Sequence, residues 1–237
     1  MKDEQLYNLI IELLNNPKYV LHRRSKHLYF NLTHLESLAG KHCVNDDRSK
    51  EYGHESENKD NFPTFNFPEF EEYIWNKIKN KMEQNNVTFV NSFLVIQGLS
   101  MAVVDLHLHR EALRQENNRQ YNYTFFFTTD NSQTANFEAV DYPISFDEIL
   151  KYRLLDYKAD DTDYIDPNTV ENLKLFTKDF PITNYILSNN VGMRFNACKI
   201  AHKGISHFVD NTIYNCYLVL TGCSDTLPES LHEQFTF

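Results

Sequence analysis

Apolar residues recur at helical spacing at the start of the chain, at Leu6, Leu9, Ile10, Leu13 and Leu14, and Asp3 stands where it can cap the helix they predict. Asn15-Asn16-Pro17 ends that helix. Tyr19 to Tyr29 carries no clear period. Thr33-His34-Leu35-Glu36 then reads as a capping box opening a short helix that Gly40 terminates. Lys41 to Asn66 is polar and aperiodic, which predicts a long mobile loop over 41–66. Pro68 suits the first position of a helix running to about Asn85, with Phe70, Tyr73, Ile74, Ile78 and Met82 as its apolar stripe.

At Val87 the period changes. Val87 to Ile96 is apolar on both faces, as in a strand covered on both sides. Gly98-Leu99-Ser100 allows a reversal, so Met101 to His109 can pair back on it, and Tyr121 to Thr129 reads as the third strand of a central meander over about 87–130. Phe137 to Asp141 adds a short fourth strand. Ser145-Phe146-Asp147-Glu148 is a capping box, with Ile144 and Ile149 as its hydrophobic staple. Asp166-Pro167 opens a further helix with Val170, Leu173 and Phe176 inward, stopped by Pro181. Beyond it Tyr185 to Ser188, Gly192 to Ile200 and Thr212 to Thr221 read as strands, with turns at Asn189-Asn190 and Lys203-Gly204 and a polar tail from Ser224. Strands and helices arranged in blocks predict one α+β domain over residues 1–237, an antiparallel sheet packed with N-terminal and central helices, rather than alternating βαβ units.

Composition narrows the function. The 237 residues carry 41% hydrophobic and 14% aromatic side chains, enough to bury a core without disulfides or metal. A formal charge of -10 disfavours nucleic acid as a partner. Cys43, Cys198, Cys216 and Cys223 show no CxxC spacing, and no apolar run approaches the roughly 18 residues of a membrane span, so a reduced, soluble, cytoplasmic protein is expected. The six glycines are scattered, which excludes P-loop and dinucleotide-binding fingerprints.

One constellation carries chemistry. In an extended strand, Val104, Leu106 and Leu108 fall on one face while Asp105, His107 and His109 fall on the other, about 7 Å apart along it. Adjacent members of such a row can share a metal ion. Asp-x-His-x-His at a strand end resembles the first metal-binding strand of amidohydrolase-type and PHP-type phosphoesterases. Those enzymes place further ligands on later parallel strands, whereas the pattern after His109 is antiparallel, so the resemblance is not extended to their barrel. His202 and His207, with Asp210, flank the last strand and are the expected sources of a further ligand. The plain alternative is that His107 and His109 are the wet half of a half-buried strand.

Two functions are therefore expected. The first is an acidic, non-enzymatic protein-binding module, of the kind that neutralises a basic toxin or nuclease, with Tyr and Phe as interface anchors and no cofactor. The second is a metal-dependent hydrolase or phosphoesterase in which Asp105, His107 and His109, completed by His202 or His207, hold zinc or manganese and a nucleophilic water.

Overall fold

Strand pairing in this α+β protein follows from one long antiparallel ribbon folded over on itself. The computed structural model describes residues 3–16, 23–24, 27–40, 63–97, 106–108, 120–128, 134–155, 167–206, 215–224 and 229–237. Its elements are α1 (Asp3–Asn15), β1 (Arg23–Arg24), β2 (His27–Asn31), α2 (Thr33–Ala39), α3 (Pro68–Gln84), β3 (Val87–Gln97), β4 (Gln120–Thr128), β5 (Ala135–Val140), α4 (Phe146–Tyr152), α5 (Pro167–Thr177), β6 (Ile182–Leu187), β7 (Val191–Phe195), β8 (His202–Ser206), β9 (Asn215–Ser224) and β10 (His232–Thr236). The ribbon pairs β3 with β9, His107 with His202 at the head of β8, β4 with β7, and β5 with β6, all antiparallel. Rolling it brings β9 onto β4 and β8 onto β5. The result is a sheet ordered β1-β2-β3-β9-β4-β7-β10 and a second ordered β6-β5-β8. This is the connectivity of a jelly roll.

Of the 87–130 block, β3 and β4 lie where alternation places them but are not sequential neighbours, and of the expected strand from Met101 to His109 all but residues 106–108 lie outside the described residues. β9 lies between β3 and β4, and the 106–108 segment bridges to the other sheet. Two further expectations fail. Lys203-Gly204 is not a turn but the middle of β8, and the stretch read as a polar tail supplies a strand, β10. Gly204 weakens strand propensity without preventing pairing, because both neighbours of the β5 ladder are available. In β10, Phe235 is buried, Arg194 Nε donates to Glu233 at 3.2 Å, and His232 spans Tyr185 and Asp141 at 2.8 Å each, tying the edges of the two sheets together.

Alternation decides which face each strand buries. Tyr121, Tyr123, Phe125 and Phe127 of β4 face Phe70, Ile74, Ile78 and Met82 of α3 and Leu13 of α1. Their neighbour Phe126 turns the other way, joining Met193 and Phe195 of β7 and Phe137 of β5 in the core between the sheets. Leu108, Val140 and Ala201 on the outer face of the second sheet pack with Ile149 of α4 and Leu173 of α5. Ser145 forms the expected capping box with Glu148.

The Thr33 capping box does not form: Leu32 is the N-cap and offers no side-chain acceptor. Glu71 of α3 replaces it from outside, its Oε2 accepting the Leu35 N–H at 2.7 Å. Glu71 is fully buried, and burial pushes its carboxyl up to about 7 against the lowering pull of that N–H and of His34. Because the folded value lies above the unfolded 4.5, this group supports folding most below pH 4.5, and the contribution is lost as pH rises toward 7. Glu71→Gln is expected to flatten the pH dependence and to raise stability at pH 8 relative to pH 5 by on the order of 2 kcal/mol, read from urea unfolding at both pH values. A second prediction concerns β7. A Cβ on Gly192 would lie 2.5 Å from Phe235 Cζ and 2.9 Å from the Thr124 carbonyl oxygen, which the ladder holds fixed. Gly192→Ala is expected to cost about 1–3 kcal/mol in the same unfolding assay.

Candidate functional site

His107 and His202 meet across the two strands of the ribbon. His107 N donates to the His202 carbonyl at 3.1 Å and His202 N to the His107 carbonyl at 3.0 Å, so the two residues lie directly opposite in a hydrogen-bonded antiparallel pair. Leu106 and Leu108 point into the outer-face cluster with α4 and α5, which sends His107 to the opposite side. The two imidazole centroids are 4.2 Å apart with the planes at 54°.

His202 is 4% exposed, lodged between Phe137 (centroids 5.6 Å, 22°) and Phe195 (4.6 Å, 57°) in the space between the sheets. Burying an imidazole without a hydrogen bond is costly. His202 Nδ1 lies 2.8 Å from the Ile200 carbonyl oxygen, and since a carbonyl only accepts, Nδ1 carries the proton. In the neutral ring Nε2 is then the nitrogen with the lone pair, the form that binds a metal ion or accepts a proton. Histidine ligands of metals commonly donate their other N–H to a backbone carbonyl in this way.

The carbonyl is itself held. Asn196 accepts Lys199 N at 3.1 Å and Ile200 N at 2.9 Å on its backbone oxygen, accepts Cys198 N at 3.1 Å on Oδ1, and donates its own N–H to Leu231 at 2.9 Å. Asn196 is wholly buried. This turn fixes the carbonyl, the carbonyl fixes the tautomer, and the tautomer sets what His202 can do.

Of the residues expected to form the site, the structure brings His107 and His202 together. Asp105, His109 and His207 lie outside the described residues, and among the described residues no group of three or more His, Cys, Asp or Glu is placed to hold a metal. Ile200, Asn196 and Phe137 were missed by sequence reasoning. No signal marked the first, since a backbone carbonyl is the same in every residue; the small turn Asn196 to Ile200 was hidden inside an apolar run read as strand.

No family model matches this chain, and no curated protein matches it. Among solved structures it is similar to EvdO2 from Micromonospora carbonacea var. aurantiaca, at 9% identity over 91% of this chain and 94% of that one, with a TM-score of 0.32. That likeness is too slight to support a statement on fold or function.

The tautomer is open to direct measurement. In a long-range proton–nitrogen NMR spectrum at neutral pH, the His202 signals, identified by their loss in His202→Ala, are expected to show a protonated Nδ1 and an unprotonated Nε2. An Nε2-protonated ring would contradict the Ile200 hydrogen bond.

Proposed function

We propose that this protein is a divalent-metal-dependent enzyme, a hydrolase or phosphoesterase, with His107 and His202 as its imidazole ligands and Asp105 as the carboxylate. The observation that carries this reading is the His107–His202 ring pair with His202 held as the Nδ1–H tautomer. Asp105 enters from the sequence alone, two residues before His107, and lies outside the described residues. His109 and His207 are the remaining candidates for a further position. When bound, zinc or manganese would supply a water of lowered pKa as nucleophile.

Two imidazoles and one carboxylate serve both hydrolytic zinc and non-haem iron(II), which leaves open positions for oxygen chemistry. The identity of the bound metal therefore separates the two reaction classes. The protein-binding reading draws on the charge of -10. Its other support, the abundance of aromatics, is weakened because Phe30, Phe65, Phe70, Phe125, Phe137 and Phe195 are spent in the core. Among the described residues no helix is long and apolar enough to cross a membrane, and the Cys198 thiol is buried.

Elemental analysis of protein purified without chelator is the test. About one zinc, manganese or iron per chain is expected, with His107→Ala and His202→Ala each weakening metal affinity by at least about a hundredfold. Affinity should fall below about pH 6, where protons compete for the imidazoles. A chain that retains no metal, or one whose affinity is untouched by both substitutions, would remove the reading.

A further inference from the structure

Beside the histidine pair the second sheet has an opening that the fold itself does not need. Gly204 follows His202 by two residues in β8 and so shares its face, about 7 Å along the strand. Among the described residues, a Cβ placed on Gly204 meets no heavy atom within 4 Å, whereas at Gly192 the Phe235 ring and the Thr124 carbonyl already fill that space. Gly192 is a glycine because its neighbour demands it. Gly204 has no such neighbour among the described residues, yet a glycine inside a strand costs chain entropy and packing.

The direction of the opening follows from the register. Gly204 pairs with Phe137, whose side chain belongs to the core between the sheets, so the face it leaves bare is the inner one. The Phe137 and His202 rings stack with centroids 5.6 Å apart at 22°, and both belong to the strand face that Gly204 leaves bare. Glycine in mid-strand is characteristic of positions where a ligand or another backbone comes close.

We propose that Gly204 floors a ligand site, where a planar oxygen-donor group of the substrate, a carboxylate or hydroxamate, lies against the Phe137 and His202 rings and reaches the metal. This assignment rests on the metal reading for its second half, the contact with the metal; the opening itself does not. A branched side chain at position 204 occupies the floor while His107, His202 and the Ile200 carbonyl keep their own chemistry. It separates ligand binding from metal binding.

Two measurements on the full chain test this. In the first, protein loaded with cobalt(II) is titrated with acetohydroxamate and followed by its visible absorption. Gly204→Val is expected to take up cobalt within about twofold of the unsubstituted protein but to bind acetohydroxamate at least about tenfold more weakly. Equal acetohydroxamate binding by the two proteins overturns the ligand site, and an unsubstituted protein that takes up no cobalt overturns the metal contact. In the second, Gly204→Cys is treated without metal with methyl methanethiosulfonate, and modification is followed by mass spectrometry against the unsubstituted chain. Rapid modification of the introduced thiol is expected, while buried Cys198 stays slow. An introduced thiol as slow as Cys198 in a folded protein means that the opening does not exist, whatever becomes of the metal.

Discussion

The pairing of β9 with both β3 and β4 is the interaction on which the rest of the structure depends. One pairing closes the ribbon and the other rolls it. Leu218 shows the double duty: it stands opposite Leu94 on one side and Phe125 on the other, and is wholly buried. If β9 paired with β3 alone, β4 and β7 would have no ladder to join, and the aromatic row of β4 could not face α3. All of these contacts link segments far apart in the chain, so loop-closure entropy is lost before much burial is gained.

Rolling also explains why the two sheets meet through aromatic side chains. A strand whose two faces are both covered must place bulky residues on each, and Phe125, Phe126 and Phe127 do this in succession, the middle one serving the inter-sheet core and its neighbours the helix layer. Arg194 sits on the helix side of β7 at 1% exposure, its guanidinium 5.2 Å from the Tyr121 ring centre and hydrogen-bonded to Ser230 and Glu233. A buried cation is tolerated there because the C-terminal strand brings acceptors to it. Polar residues near the C-terminus thus have a task that their polarity conceals.

What could be read in advance was whatever depends on near neighbours. The Ser145 capping box, the Pro68 helix start and the Phe70, Ile74, Ile78, Met82 stripe need residues at most a few positions apart, and each is found as expected. Pairing partners are different, since alternation in β3 says that both faces are covered and nothing about whether β4 or β9 lies alongside. Turn chemistry misled at Lys203-Gly204, where glycine marks an absent side chain rather than a reversal. The Thr33 box misled for a related reason: the N-cap falls one residue earlier, at Leu32, and a buried carboxyl on another helix, Glu71, accepts the Leu35 N–H. In the site, the histidines could be picked out by type, but that His107 faces His202 depends on the roll, and the Ile200 carbonyl has no side-chain signature at all.

The roll gives the histidine pair a property that neither strand has alone. Along one strand, residues on a common face are about 7 Å apart. Across a ladder they are closer, and two rings with centroids at 4.2 Å can converge on one atom. A purely structural position between Phe137 and Phe195 would be filled more cheaply by an apolar side chain, because an imidazole there must find a hydrogen bond for its N–H and still bury a polar nitrogen. Asn196 and its turn meet the first demand by presenting the Ile200 carbonyl. They meet it in the one way that puts the proton on Nδ1, so the fold's answer to a packing cost also sets the tautomer of the ring.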